Sequence, residues 1–195
     1  MTGPQAPEHR GLIFFTVVFS AMLAAGATTV ANTVLPQMSG DLSASLDQVS
    51  WVVTASVVAG AIGTPTTPWL AARFGAKQLL VFSIVAFTFA SVMIGTSDTL
   101  TQVVFWRIAQ AFTGGPILAL SQTFTLGIYT EKERGRALAI WSMALTGGWV
   151  FAPVVGAYLA DHQSWRLVFF AMAPMGFLAA ILAWRFMPST GKVHE

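Results

Sequence analysis

Arg107 is the residue of this sequence whose type and position point most directly to chemistry. It lies seven residues into an apolar run that begins at Leu100, about 10 Å along a helix axis. Arginine at the centre of a bilayer costs about 2.5–3.5 kcal/mol on insertion scales, so it usually faces a bundle interior or an aqueous cavity. Gln110 and Gly114 follow on the same helical face. The pattern predicts a functional polar site, and its alternative is a structural arginine that bonds backbone carbonyls or snorkels outward.

A second pattern is a row of small residues at a strict four-residue spacing. The row comprises Ala144, Gly148, Ala152, Gly156 and Ala160. It makes one helix face nearly flat, which lets helix backbones approach closely in lipid. Pro153 lies beside it and is expected to kink the helix by removing one hydrogen bond. Tight packing explains the row, and a bend that controls which side of the membrane opens is the sharper hypothesis.

Several kinds of chemistry have no residues to support them. No Asp or Glu falls within an apolar run, and His9, His162 and His194 all lie outside the runs. The sequence has no cysteine, no cluster of metal ligands and no intramembrane Ser/His pair. We therefore expect no metal centre and no cofactor, and a membrane enzyme is the least favoured class.

The elements that must position these residues are membrane-spanning helices. Hydrophobic residues make up 55% of the chain and charged residues 9%, whereas a soluble domain has roughly a quarter charged. Six apolar runs are long enough to cross a bilayer at roughly 20 residues each. They are Leu12–Leu35, Val49–Leu70, Leu79–Thr96, Leu100–Ile128, Ala137–Leu159 and Leu167–Met187. The sequence predicts an all-α membrane protein, with a six-helix bundle at 11–187 between tails at 1–10 and 188–195.

Basic residues set the predicted orientation. Eight of the ten would be cytoplasmic if the N-terminus is inside: Arg10, Arg73, Lys77, Lys132, Arg134, Arg136, Arg185 and Lys192. The positive-inside rule then predicts a multi-pass protein of the inner membrane with both termini in the cytoplasm. Because these residues are scattered singly, they form no stripe for nucleic acid, and the expected partner is the lipid bilayer.

A short internal echo suggests how the six helices are related. Trp69–Ala71 ends the second run inside, and the similar Tyr158–Ala160 ends the fifth run outside. Such an echo favours two inverted three-helix repeats.

Five segments in sequence order resemble the motifs of one known family. Thr28–Pro36 is similar to its first-span motif, Trp69–Lys77 to its signature loop after the second span, and Arg107–Gln110 to its fourth-span motif. Gly148–Ala157 is similar to its fifth-span antiporter motif, and Trp165–Gly176 to the start of its sixth span. The family is the major facilitator superfamily (MFS), in particular the fourteen-span EmrB-type multidrug:proton antiporters.

The resemblance covers nearly the whole chain but only the family's N-terminal six spans. It implies a bundle that rocks about a central cavity and exports hydrophobic or amphipathic, drug-like molecules by alternating access. The expected proton or substrate pathway comprises Asn32, Arg107, Gln110 and Gln122. The expected gating residues are Arg73, Gly75 and Lys77 of the loop, with Gly148, Ala152, Pro153 and Gly156 of the fifth span.

Two positions depart from the family pattern. An Asp linked to proton coupling usually precedes the Thr pair of the first span, and Ala27 stands there in this chain. The usual Asp of the signature loop is Ala72. Proton coupling and the direction of transport are therefore left open.

Two functional classes follow from the resemblance. The first is one half of an exporter that needs a second six-helix bundle, supplied by another chain, by a homodimer or by further residues of the same chain. The alternative is a truncated remnant that does not transport, or an assembly subunit that docks on a full transporter.

Overall fold

The computed structural model describes residues 9–188. Six helices follow one another with short connections: α1 Arg10–Asp41, α2 Leu46–Phe74, α3 Ala76–Gly95, α4 Leu100–Ile128, α5 Glu131–His162 and α6 Trp165–Phe186. Each helix is long and apolar enough to cross a membrane, which confirms the predicted all-α, six-span fold. Residues 1–8 and 189–195, which make up most of the two predicted tails, lie outside the described part.

Polar caps extend the helices beyond their apolar runs. α5 begins at Glu131, six residues before the predicted start at Ala137. The Glu133 carboxylate accepts hydrogen bonds from the backbone N–H of Thr130 (3.2 Å) and from its hydroxyl (2.6 Å). These bonds satisfy polar groups at the start of the helix. Hydropathy does not detect this charged first turn.

The outer end of α1 extends in a different way. The helix continues through Pro36 to Asp41, although its apolar run ends at Leu35. Two hydrogen bonds tie the extension to the rest of the bundle: Gln37 Nε2 donates to Asp161 (2.8 Å), and Trp165 Nε1 donates to Asp41 (2.9 Å). These tertiary contacts stabilise a segment whose proline gives up one backbone bond.

The helices pack in a pseudo-two-fold pattern. α2 packs against α4 as α5 packs against α1, and α3 packs against α6. Exchanging α1–α3 for α4–α6 preserves these pairs. Because each set contains three spans, the second set crosses the membrane in the opposite sense, and the two sets are inverted repeats as predicted.

Glycines allow the closest helix crossings. A Cβ at Gly63 of α2 would collide with the carbonyl oxygen of Phe112 of α4. On the other side of the bundle, a Cβ at Gly148 of α5 would lie 2.5 Å from the carbonyl oxygen of Met22 of α1. Both crossings therefore need a residue without a side chain, as is common where helices associate in lipid.

The helices differ in how far the bundle encloses them. In the most apolar 18-residue stretch of each helix, 61% of residues are buried in α1, 28% in α2 and 11% in α5. The exposed faces of α2 and α5 are apolar and include Val57, Ile62, Trp69, Phe151, Val154 and Tyr158. An apolar surface of this extent requires lipid or another apolar helix face against it.

Candidate functional site

A cavity of about 280 Å³ lies beside Arg107, between α1, α2, α3 and α4. α4 contributes Arg107, Gln110 and Gly114, the helical face that the sequence predicts. The remaining lining is mostly small or apolar: Ala24, Ala27, Thr28, Ser56, Val57, Gly60, Thr64, Phe87, Ala111, Gly115 and Leu118. The cavity thus combines one cationic group with a largely apolar wall.

Arg107 is held by neutral oxygen atoms. Its side chain is buried, with 2% of the residue exposed. Nη1 donates to the Gln110 Oε1 and to the carbonyl oxygen of Ala27 (3.2 Å), and Nη2 lies 3.5 Å from Ser56 Oγ. Nε has no hydrogen-bond partner. The guanidinium is positioned by α1, α2 and α4 but is not fully satisfied.

Gln110 and an aromatic ring connect this arginine to the other helices. The Gln110 Nε2 donates to Ser91 Oγ of α3 at 2.6 Å. The guanidinium carbon of Arg107 lies 5.9 Å from the ring centroid of Phe169 of α6, within the range of a cation–π contact. Five of the six helices therefore contribute to fixing Arg107.

No acidic side chain of the described residues pairs with Arg107. The two salt bridges among the described residues lie at the ends of the bundle: Arg10 to Glu133 at 2.6 Å and Arg166 to Asp98 at 3.8 Å. A buried charge is usually paired or neutralised, because its desolvation is costly. Arg107 instead has carbonyl, amide and hydroxyl partners.

The structure places the other two predicted pathway residues elsewhere. Asn32 and Gln122 are both exposed, and neither lines the cavity. Asn32 lies one helical turn beyond Thr28, which does line it. Arg107 and Gln110 are thus brought together, whereas pathway roles for Asn32 and Gln122 remain predictions.

The predicted loop residues lie at the shortest connection between two helices of the bundle. Gly75 is the one residue between α2 and α3, and its φ of +91° favours glycine. Arg73 lies in the last turn of α2, with its guanidinium carbon 5.8 Å from the ring centroids of Trp69 and Phe74. Lys77 lies in the first turn of α3. Their gating roles are not addressed by these positions.

The small-residue row of α5 packs against α1. A Cβ on Gly26 would lie 2.9 Å from the Cβ of Ala152. α5 continues as one helix past Pro153 to His162. The row also borders a second cavity of about 220 Å³ between α1, α5 and α6, lined by apolar residues that include Gly148, Gly156, Val168 and Met172. Packing is therefore its visible role, and gating stays a prediction.

Sequence reasoning missed the two hydroxyl groups that accept hydrogen bonds from Arg107 and Gln110, those of Ser56 and Ser91. Each also donates to a carbonyl of its own helix, Val53 and Phe87 respectively. Serines in apolar helices commonly make such local bonds. The sequence therefore gives no signal that separates these two from the other hydroxyl residues of the spans.

The residues offer no evident place for a metal ion. Within 9–188, no group of three or more His, Cys, Asp and Glu side chains is close enough to hold one. The absence of a metal centre remains an expectation.

The fold and its polar site together define a class of membrane protein. Two inverted three-helix repeats that surround a buried polar group facing a cavity are the architecture of a secondary-transporter bundle. The family profile described as Major Facilitator Superfamily matches residues 17–195. The chain belongs to this superfamily, which confirms the predicted family; its members are transporters, in agreement with the prediction that it is not an enzyme.

Curated relatives agree with this assignment. The multidrug export protein EmrB of Haemophilus influenzae is 37% identical over 170 residues, which cover 86% of this chain and 33% of the relative. EmrB of Escherichia coli K12 is 35% identical over 177 residues, covering 90% and 35%. The chain spans about a third of the length of these relatives.

The fold is also that of a solved transporter. The proton:xylose symporter XylE, in complex with 6-bromo-6-deoxy-D-glucose, superimposes with a TM-score of 0.83 at 17% identity. The match covers 94% of this chain and 47% of XylE. At this identity the similarity establishes the fold alone, that of a multi-pass membrane bundle.

Proposed function

We propose that the chain forms the N-terminal bundle of an exporter of hydrophobic or amphipathic small molecules. The observation that carries the proposal is the cavity beside Arg107, which combines the buried polar side chains of Arg107 and Gln110 with a largely apolar wall. Its relatives named as multidrug export proteins support the same choice. Alternating access about this cavity is the proposed mechanism.

The cavity residues divide into two roles in this mechanism. Arg107 and Gln110 orient the polar part of the substrate, because their positions are fixed by hydrogen bonds. Val57, Phe87 and Leu118 supply apolar contact that tolerates different shapes. Such a division is typical of sites that combine a few placed polar groups with an apolar lining.

The proposed mechanism requires a second six-helix bundle. The exposed apolar faces of α2 and α5 support its placement there, since they are the least enclosed faces of the bundle. The second bundle is another chain segment or a second copy of this chain. The small row of α5 (Gly148, Ala152, Pro153 and Gly156) and the loop residues Arg73, Gly75 and Lys77 are the proposed gating elements between them.

The proposed orientation places both termini in the cytoplasm of a cell with an inner membrane. It rests on the excess of basic residues in the loops on that side. A membrane-impermeant, amine-reactive reagent added outside intact cells would then leave Lys77 and Lys132 unlabelled. Labelling of either from outside would contradict the orientation.

The second bundle is tested by crosslinking in native membranes. The chain has no cysteine, so single substitutions Val57→Cys on α2 and Val154→Cys on α5 report one face each. Phe82→Cys on α3 is the matched control, because Phe82 is equally exposed. We expect a discrete crosslinked species from the α2 and α5 variants alone. An isolated monomer from all three would favour the non-transporting remnant.

The role of Arg107 is tested by efflux of an amphipathic fluorescent dye. The assay uses cells whose membranes contain the assembly that crosslinking detects. Arg107→Ala is expected to abolish efflux while the protein still inserts in the membrane. Arg185→Ala removes an exposed arginine and is expected to leave efflux unchanged. Efflux at the original rate in Arg107→Ala would overturn the assignment of Arg107.

A further inference from the structure

We propose that the chain binds the phosphodiester headgroup of an anionic phospholipid at the end of the bundle where α1 and α5 begin. The site is a cavity of about 560 Å³ that lies between α1, Tyr129 and the first turns of α5. It shares no lining residue with the cavity beside Arg107, and a lipid ligand there goes beyond the proposed exporter function. Three features support it: two basic side chains without an acidic partner, an acid that is already paired, and an apolar wall.

The two basic side chains are Lys132 and Arg136 of α5. They lie four residues apart, so they project from the same face of the helix, and both line the cavity. In the part of the chain that the structure describes, neither forms a salt bridge. Like charges at this spacing repel each other. An anion bound between them would relieve that repulsion and pair both charges.

The acidic residue of the cavity lining, Glu133, already has partners. Its Oε2 accepts a hydrogen bond from Arg10 Nη2 at 2.6 Å and another from the hydroxyl of Thr130 at 2.6 Å. The negative charge of Glu133 is therefore compensated by Arg10. Because that pair cancels, the cavity keeps the two positive charges of Lys132 and Arg136, which favour an anionic ligand.

An aromatic and aliphatic wall adjoins these charges. The ring of Tyr129 lies 4.0 Å from the guanidinium carbon of Arg10, and the ring of Phe14 packs edge-on against it with centroids 5.2 Å apart. Phe14 and Tyr129 line the cavity together with Ala137 and Ile140, which begin the apolar run of α5. Tyrosine is enriched at the level of lipid headgroups. The cavity thus continues from charged groups into the membrane-embedded part of the bundle.

A phospholipid matches this change from charged to apolar groups better than a free anion does. Its phosphodiester carries one negative charge, and its acyl chains continue directly from the headgroup into the hydrocarbon. Basic pockets between membrane-spanning helices bind anionic headgroups in this way. A free phosphate would pair with Lys132 and Arg136 but would leave the apolar surface of Phe14 and Ile140 without a partner.

The experiment measures binding of short-chain lipids to the full chain in dodecyl-maltoside micelles by native mass spectrometry. Dioctanoyl-phosphatidylglycerol carries one negative charge, and dioctanoyl-phosphatidylcholine has the same chains with no net charge. Glycerol phosphate has the anion without the chains. We expect the first phosphatidylglycerol to bind at least about fivefold more tightly than phosphatidylcholine, because each basic residue near an anionic lipid contributes about that factor. Glycerol phosphate is expected not to bind measurably.

The variants then assign this preference to the cavity. Lys132→Gln and Arg136→Gln are each expected to weaken phosphatidylglycerol binding about fivefold, and the double variant to abolish the preference. Arg136→Lys keeps the charge and is expected to keep the preference. Arg185→Gln is the matched control, because it removes an exposed arginine at the same end of the bundle but outside this cavity. Since Lys132 and Arg136 are exposed, their variants are expected to fold, which thermal unfolding verifies.

Four results would overturn the lipid site. They are equal affinities for the two lipids, a preference that survives in the double variant, an equal loss in Arg185→Gln, and glycerol phosphate that binds as tightly as phosphatidylglycerol. The third would show an effect of net charge alone, and the fourth a site for free anions. None of these measurements involves transport, so each leaves the proposed exporter intact. Failed crosslinking or efflux would in turn leave the lipid site intact.

Discussion

Two cavities, one beside Arg107 and one between α1, α5 and α6, occupy similar places in the two halves of the bundle but differ in chemistry. The larger one, of about 280 Å³, lies where α2 crosses α4 and contains Arg107 and Gln110. The smaller one, of about 220 Å³, lies where α5 crosses α1 and is lined by apolar side chains and glycines. Arg107 lies seven residues after the start of α4, and Met172 seven residues after the start of α6. The two helices run in the same direction, so each residue lies about two turns from the start of its helix, at the same end of the bundle.

The comparison separates what the repeat provides from what the side chains provide. Both halves have a helix crossing too close for a side chain, and both leave a space beside it. Only the α4 half fills its space with a charge, and that charge has acceptors on three helices. The repeated backbone thus supplies a position for a site. The polar neighbours stabilise an arginine at that position by accepting its hydrogen bonds.

The largest expected effect comes from the close crossing on the apolar side. In Gly148→Val the new side chain would meet the carbonyl oxygen of Met22, because a Cβ there lies 2.5 Å from it. Backbone cannot give way without separating α1 from α5, so we expect a loss of about 3 kcal/mol or more. The yield of monodisperse protein in size-exclusion chromatography measures it.

Gly147→Val is the control for this change. A Cβ at Gly147 meets the ring of Phe151 at 3.8 Å, an ordinary contact. The same β-branched residue is therefore introduced one position away without the collision. Similar yields from the two variants would show that the crossing is not as close as described.

A smaller loss is expected when the charge is moved to the apolar cavity. Met172→Arg places an arginine as far from the start of α6 as Arg107 is from the start of α4, but among side chains with no hydroxyl, amide or carboxylate acceptor. The expected cost is about 2.5–3.5 kcal/mol on insertion scales. Thermal unfolding in detergent measures it, with Met172→Leu as the apolar control. If the arginine variant unfolds at the control's temperature, the polar neighbours of Arg107 are not what stabilises it.

The smallest loss is expected when one polar neighbour of Arg107 is removed. Gln110→Leu deletes an acceptor for Arg107 and the donor to Ser91, which leaves buried groups less satisfied. Such losses cost about 1–3 kcal/mol. Gln122→Leu changes an exposed glutamine of the same helix and is expected to cost within about 0.5 kcal/mol. Equal thermal shifts in the two variants would place Gln110 outside the network.

The fold was predictable because hydropathy reports the medium around a helix. All six helices appear where apolar runs predict them, and the errors are confined to ends. α5 starts before Ala137 because Glu133 caps a charged turn, and α1 passes Leu35 because Gln37 and Asp41 have tertiary partners. Neither reason is visible in hydropathy.

The site was predictable only along a single helix. Arg107 and Gln110 share a face by spacing alone, and the structure places both at the cavity. The positions of Asn32 and Gln122 relative to the cavity depend on which faces of α1 and α4 turn inward. Packing between helices decides this, and the sequence of one helix does not show it. Ser56 and Ser91 belong to the site because they contact Arg107 and Gln110, which lie 51 and 19 residues away in sequence.

The one-residue connection at Gly75 also fixes how this bundle meets the thickness of its bilayer. α3 has 20 residues and is about 30 Å long, close to the hydrocarbon core, whereas α2 has 29 residues and is about 43 Å long. The connection at Gly75 keeps the end of α2 and the start of α3 at the same level. The extra length of α2, about 13 Å, must therefore be accommodated at its other end, by tilt of α2 or by protrusion into the headgroups. Lipids with longer acyl chains would therefore mismatch α3 before any other helix.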